Sequence, residues 1–185
     1  GNYFVFFPSY AYMQSVYEVF SERELRKAGH GIEVVVQEAS MTEFAKQAFL
    51  EKFRERPNTT ILGFCVLGGA FSEGIDLKDD RLIGAIVVGT GLPKISNERE
   101  LLRDYFEQRR GCGFDYAYLF AGMNKVLQAG GRVIRTEKDR GIIALLDERF
   151  LYGQYRNLFP REWASPVKAN IYNIEEKINQ FWEQD

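Results

Sequence analysis

The sequence predicts an α/β fold: a parallel sheet with helices on both faces. Three observations predict it. Short apolar runs alternate with segments of helical period along the chain. The runs are apolar throughout rather than at every second residue, as strands covered on both faces must be. Several of them end in glycine, proline or serine, where a strand gives way to a loop. At 185 residues and 45% hydrophobic content, the chain suits one domain with a sizeable core, and its composition gives no case for disorder.

The elements follow in order. "YFVFFP" is an apolar strand-like run ended by Pro8. Ser9 is placed to cap the next helix, with Met13, Val16, Tyr17 and Phe20 on one face and Gly29 near its stop. "IEVVVQ" is a β-branched strand. "TEFAKQAFLEKFRERP" reads as a helix with a stripe of Phe44, Ala48, Phe49 and Phe53, stopped by Pro57. "TILGFCVLGG" is a buried strand entering a glycine turn, and "LIGAIVVGTGLP" is another. Asn97 and Glu100 have capping-box spacing for "ERELLRDYFEQRR". The stretch from Tyr116 to Lys138 reads as helix, "GIIALLD" as the last strand, and "NIYNIEEKINQFW" as a closing amphipathic helix. There is no internal repeat, low-complexity tract or linker. An apolar strand that starts at Tyr3 suggests a chain cut from something longer.

Composition narrows the function classes. A net charge of −2 excludes a globally basic nucleic-acid surface but leaves room for a local basic strip. Cys65 and Cys112 make neither a disulfide framework nor a zinc site, which fits a reducing, intracellular setting. No stretch has membrane-spanning length, and no signal peptide is visible. His30, the one histidine, sits among turn residues with no partner in the pattern, so a metal or serine-hydrolase site has little support.

In a parallel sheet, ligands gather at the carboxyl ends of the strands. Ser9 and Tyr10 follow the first strand, "GGAFSEGID" the third and "GTGLP" the fourth, and "QAGGRVIRTEKDRG" leads into the fifth. On a continuous helix, Gln128, Arg132 and Arg135 share a face at i, i+4 and i+7. Two adjacent glycines, Gly130 and Gly131, lie between them, each costing about 1 kcal/mol against alanine inside a helix. Either something approaches that backbone closely or the arginines must face one target. Each feature also has an ordinary reading. An arginine face can be merely solvated, and Glu73, Gly74 and Asp76 can be plain turn residues. "GTGLP" fails as a dinucleotide fingerprint because Pro93 follows and the third glycine is missing.

Taken together, "FVFFPSY", "GGAFSEGIDL", "AIVVGTGLP" and "QAGGRVIRTEKDRGIIALLDERF" resemble helicase motifs IV, V and VI and the stretch between them. Their order and spacing are similar to the second RecA-like domain of the XPD/DinG family of superfamily-two DNA helicases. The resemblance runs over residues 1–160, leaving 161–185 as an extension whose amphipathic helix packs on the domain. It implies a P-loop NTPase-like fold acting as half of a motor, with DNA, especially single-stranded DNA, and the N-terminal motor domain of the same polypeptide as partners. ATP with Mg2+ would lie between the two halves, held mostly by the first. By resemblance Arg135 is the arginine finger, Arg132 touches phosphate beside it and senses closure, and Gln128 positions the nucleotide or couples it to the neighbouring motif. Gly74 and Asp76 reach the nucleotide side, and Glu73 links it to the DNA groove. Ser9, Tyr10, Gly69 and Ser72 lie on the DNA side. The family's iron–sulfur cluster needs four cysteines of the first domain, and this chain has none of those. The polarity implied is 5′ to 3′.

Two other classes stay open at this point: a motor-like module that holds single-stranded DNA without unwinding it, and an unrelated α/β nucleotide-binding protein. The chain contains no GxxxxGK[ST] loop and no DEAH-type box. The isolated chain is therefore expected to hydrolyse no ATP, with or without DNA. Turnover above a mock-purified control that persists in an Arg135→Ala variant would overturn this.

Overall fold

The computed structural model describes residues 1–26, 31–54, 59–72, 77, 81–134 and 139–183. Five strands form one sheet: β1 (Asn2–Phe7), β2 (Ile32–Val36), β3 (Thr60–Val66), β4 (Gly84–Val88) and β5 (Ile142–Leu146). Every neighbour pair is parallel, and the order is β2-β3-β1-β4-β5. β1 is thus central, with Val5 in register with Phe64 of β3 and Ile86 of β4. This is the RecA-like arrangement expected from the sequence.

Alternation along β1 divides the core in two. Phe4 and Phe6 point to one face, where they meet Phe49, Phe53 and Phe71 and the apolar side of a helix bearing Met123, Val126 and Ala129. Val5 and Phe7 point to the other, with Met13, Phe64 and Val66. The first face is rich in ring contacts. Phe4 meets Phe53 edge-on at 4.8 Å, and Phe49 stacks on Phe71 at 4.2 Å. Each such pair adds about 0.5–1.5 kcal/mol beyond its buried area.

Helix α1 (Tyr10–Arg26) covers the second face. Ser9 caps it as expected, its hydroxyl accepting the Tyr12 N–H at 3.2 Å. Val16, Tyr17 and Phe20 pack on that core, the stripe read from the sequence. Helix α2 (Glu43–Glu51) starts at a Thr42 cap and is shorter than expected. Its stripe is also different: Phe49 and Phe53 are buried, but Phe44 is 85% exposed and Ala48 lies outside too. Phe44 and Ala48 share one row of α2, while Phe49 on the next row and Phe53, just past the Lys52 cap, are the residues that meet Phe4.

Helix α3 (Asn97–Arg110) buries none of its residues. Its cap is Ser96, whose hydroxyl accepts the Arg99 N–H at 3.3 Å, and not the expected Asn97, which is already the first helical residue. A π-helical segment, Asp115–Leu119, leads into α4 (Phe120–Gly130). The helix expected to run to Lys138 therefore stops at Gly130. Beyond β5 the chain makes short helical turns, including α5 (Gly153–Arg156), that add Phe150 and Tyr155 to the first core. The closing helix α6 (Ile174–Glu183) touches the domain through Arg140. That guanidinium lies 4.9 Å from the Phe181 ring centre and 5.7 Å from Trp182, and donates to the Phe181 carbonyl. Gly29, His30 and Pro57 lie outside the described residues.

Close packing on the first face leaves no room at Gly63. A Cβ there would lie 2.6 Å from the Phe4 ring and 2.7 Å from that of Phe53. Gly63→Ala is expected to cost about 1–3 kcal/mol through overpacking. The check is a fall in the urea midpoint with the slope unchanged.

Candidate functional site

Polar residues collect at the carboxyl ends of the strands. After β3 the chain makes a tight turn held by its own hydrogen bonds. The Gly69 N–H donates to the Val66 carbonyl at 3.0 Å, and the Ser72 N–H to the Gly69 carbonyl at 2.9 Å. The Ser72 side chain is fully buried. Its hydroxyl accepts the Gly68 N–H at 3.0 Å and donates to the Val66 carbonyl at 3.2 Å. Ser72 thus shapes the turn, with both hydrogen-bonding functions of the hydroxyl in use there. Ser9 and Tyr10 stand at the next strand end, half-buried.

Gln37, which the sequence pattern does not single out, joins these pieces. It follows β2 and is 4% exposed. Its Oε1 accepts the Val66 N–H at 2.9 Å, and its Nε2 donates to the Tyr10 hydroxyl at 2.9 Å. The one signal for it is a glutamine closing an apolar run, since a buried amide must find partners. Lys125 is likewise missed by sequence reasoning; its aliphatic stem lies over Gly68.

The arginine-bearing segment sits elsewhere. Helix α4 begins against the turn after β4, where the Gly122 backbone packs on Thr90 and Leu92. It runs antiparallel to the strands and ends at Gly130. Val133 then packs against Gly141, which also faces the Ile83 backbone, just ahead of β5 and β4. The Arg132 backbone therefore sits toward the amino ends of β4 and β5, away from Ser9 and Tyr10, while its side chain reaches back to the turn after β3. A helix leading into a parallel strand delivers its last residues to the amino end of that strand.

Nor do Gln128 and Arg132 share a continuous helix face. Gln128 is exposed on α4, while Arg132 follows the helix in a turn, its N–H reaching the Ala129 carbonyl at 3.4 Å. Gly131 closes the helix, donating to the Leu127 carbonyl at 2.9 Å. The paired glycines end the helix, and Gly130 also receives a ring. A Cβ at Gly130 would stand 2.5 Å from Trp163.

One bond reconnects the two regions. The Arg132 Nε donates to the Ser72 carbonyl at 3.1 Å, across 60 residues of sequence. The turn after β3 and the turn after α4 are thereby held together. Glu73, Gly74, Asp76 and Arg135 lie outside the described residues.

Other reactive groups are occupied. Burial pushes the Cys65 thiol well up, so it stays a neutral core residue. Asp147, just past β5, is held below the usual carboxylate range by hydrogen bonds from the Arg149 side chain. Such a depressed acid stabilises the fold above its unfolded pKa, and the contribution is lost as pH falls through the folded one. Among the described residues no group of three His, Cys, Asp or Glu is placed to hold a metal, and no helix is long and apolar enough to cross a membrane.

The family model of the helicase C-terminal domain matches residues 1–166. The chain is 28% identical over 193 aligned residues to the human regulator of telomere elongation helicase 1, covering 96% of this chain and 16% of that protein. It is 29% identical to the ATP-dependent DNA helicase CHL1 of Scheffersomyces stipitis, covering 95% of this chain and 23% of the other. The chain thus spans under a quarter of the length of these relatives. A solved XPD helicase superimposes with a TM-score of 0.56 over 85% of this chain and 26% of its own, at 23% identity.

The Arg132–Ser72 bond is charge-assisted and half-buried. Arg132→Ala is expected to cost about 1–2 kcal/mol, the range for a lost hydrogen bond to a charged group with some solvent rescue. Arg132→Lys should not restore it, because lysine has no donor at the Nε position. Urea unfolding of the three chains checks this; equal midpoints would show that the bond holds nothing together.

Proposed function

Since this chain belongs to the helicase C-terminal domain family, in its XPD/DinG branch, we propose that it is the second motor domain of an ATP-dependent DNA helicase. The observation that carries the reading furthest is the bond from Arg132 to the Ser72 carbonyl. It brings the segment that resembles motif VI against the one that resembles motif V. In the family the nucleotide meets both.

ATP with Mg2+ supplies the phosphoryl group, with a first motor domain providing the phosphate-binding loop and the acids that hold the metal. The residues on this chain suit the complementary task. Arginine is a donor only and the glutamine NH2 adds another donor, which suits phosphate oxygens. Arg135 acts as the finger, stabilising charge spread over the transferring oxygens, an effect of roughly a thousandfold or more in rate. Arg132 touches phosphate, its Nε anchored on the Ser72 carbonyl, which fixes the plane of the guanidinium. Gln128, exposed on α4, positions the nucleotide. Gly74 and Asp76 complete this side, and Glu73 joins it to the DNA groove.

The carboxyl edge takes the DNA. Ser9 and Tyr10 offer hydroxyls to phosphates, which position a strand without reading its sequence, and Gly69 shapes the turn beside them. Ser72 contributes by shaping that turn, since its own hydroxyl is spent inside it. The partner strand is single-stranded DNA, movement is 5′ to 3′, and the setting is intracellular.

Arg135→Ala in the full-length protein tests the central role. DNA-stimulated ATP hydrolysis should fall by at least about a hundredfold with the thermal transition retained. A collapse in stability with full activity per folded molecule would make Arg135 a structural residue instead.

A further inference from the structure

Gln37 has no part in the roles above, yet it is buried and bonded at both ends of its side chain. Those bonds fix a direction. The Val66 backbone N–H can only donate, so the amide atom facing it at 2.9 Å must be the oxygen. The nitrogen is therefore the end that meets the Tyr10 hydroxyl, also at 2.9 Å. An amide nitrogen has no lone pair to offer. The Tyr10 oxygen must be the acceptor in that bond, and its own hydrogen is turned away from Gln37.

We propose that Gln37 is a positioning residue that presets the Tyr10 hydroxyl as an outward hydrogen-bond donor for a phosphodiester oxygen of the DNA strand. The proposal rests on the reading of the carboxyl edge as the DNA side. Tyr10 is half-buried at the start of α1, its ring packed on the second core. An open groove of about 730 Å³ between α1 and β2 runs past Tyr10, Gln14 and Gln37. Phosphate oxygens are acceptors only. A hydroxyl held with its hydrogen outward meets such an oxygen without first reversing. Glutamate at position 37 would do the opposite. One carboxylate oxygen would keep the Val66 N–H, and the other would accept from Tyr10 and consume its hydrogen.

The test is a titration of labelled single-stranded DNA into the full-length protein at low salt. The variants are Tyr10→Phe, Gln37→Glu, Gln37→Met and the double Tyr10→Phe, Gln37→Glu, each checked for folding by thermal melt. Tyr10→Phe should weaken binding about threefold to tenfold, one hydrogen bond's worth. Gln37→Glu should weaken it as much and add nothing in the Tyr10→Phe background. Gln37→Met, which frees the hydroxyl to rotate, should cost less. A structural role alone predicts the reverse order, because glutamate keeps the Val66 bond and methionine does not. Simple charge repulsion predicts that the glutamate penalty persists in the double variant. Either result overturns the proposal. If Tyr10→Phe weakens binding and Gln37→Glu does not, the proposal falls and the DNA edge stands. If Tyr10→Phe binds like the parent, both fall. Should the Gln37 variants not fold, 3-fluorotyrosine at position 10 leaves Gln37 intact and makes the hydroxyl a stronger donor and weaker acceptor. Measured at a pH where it stays protonated, it should bind DNA more tightly than the parent, and equal or weaker binding overturns the proposal.

Discussion

β1 is hydrogen-bonded to β3 on one side and to β4 on the other, and its side chains alternate between two separate cores. Phe4 and Phe6 organise the ring-packed face, and Val5 and Phe7 the face under α1. Removing β1 would leave β2–β3 and β4–β5 as separate parallel pairs, which have no stability of their own. The same centrality places Ser9 and Tyr10 beside the ends of β3 and β4. The loops proposed to meet DNA are neighbours because β1 is the middle strand of the sheet.

The segment after β3 belongs to two places. Its start is fixed at the carboxyl edge by the bonds among Val66, Gly68, Gly69 and Ser72. Its continuation must reach the amino end of β4, and on the way the Ser72 carbonyl accepts Arg132. Ser72 therefore bonds one region through its hydroxyl and the other through its carbonyl. On the proposed reading, this is a direct covalent and hydrogen-bonded connection between the strand-gripping edge and the arginine flank. Coupling between them does not need a long chain of packed residues. Gln37 extends the connection sideways, since the Val66 N–H and the Tyr10 hydroxyl share its amide.

Much of this is legible in the sequence because apolar parallel strands advertise themselves, at the half-exposed edges β2 and β5 as in the buried centre. "YFVFFP", "IEVVVQ" and "GIIALLD" need no partner to be recognised, and Ser9 and the glycine turns mark their ends. What fails is what depends on a neighbour. Periodicity cannot say which of two rows of α2 faces Phe4, so it places Phe44 and Ala48 inside. It carries the last long helix through Gly130, because the ring that needs that space, Trp163, is remote in sequence. The i, i+4, i+7 spacing of Gln128, Arg132 and Arg135 presumes a helix that stops at Gly130. Asn97 is a reasonable cap by residue type, but Ser96 holds the extended backbone that a cap requires. Gln37 is invisible for the same reason: its partners are 27 and 29 residues distant. The motif order survives these errors, since a family pattern is carried by residue types and spacing rather than by the conformation assigned to them.

The C-terminal residues bear on the arginine segment more than their position outside the motifs suggests. Trp163 fills the space over Gly130, where α4 stops. Phe181 and Trp182 of α6 flank Arg140, just ahead of β5. The two contacts bracket residues 131–139, which carry Arg132 and Arg135. Val133 and the Arg132–Ser72 bond tie the start of that segment to the core, and these two contacts restrain its ends from outside the sheet. The contacts differ in kind. The Trp163 ring is set against backbone in a place no side chain could share, so it works by shape. The Arg140 contact is an exposed cation resting on two rings and donating to the Phe181 carbonyl, so it works by cation–π and polar attraction rather than by shape.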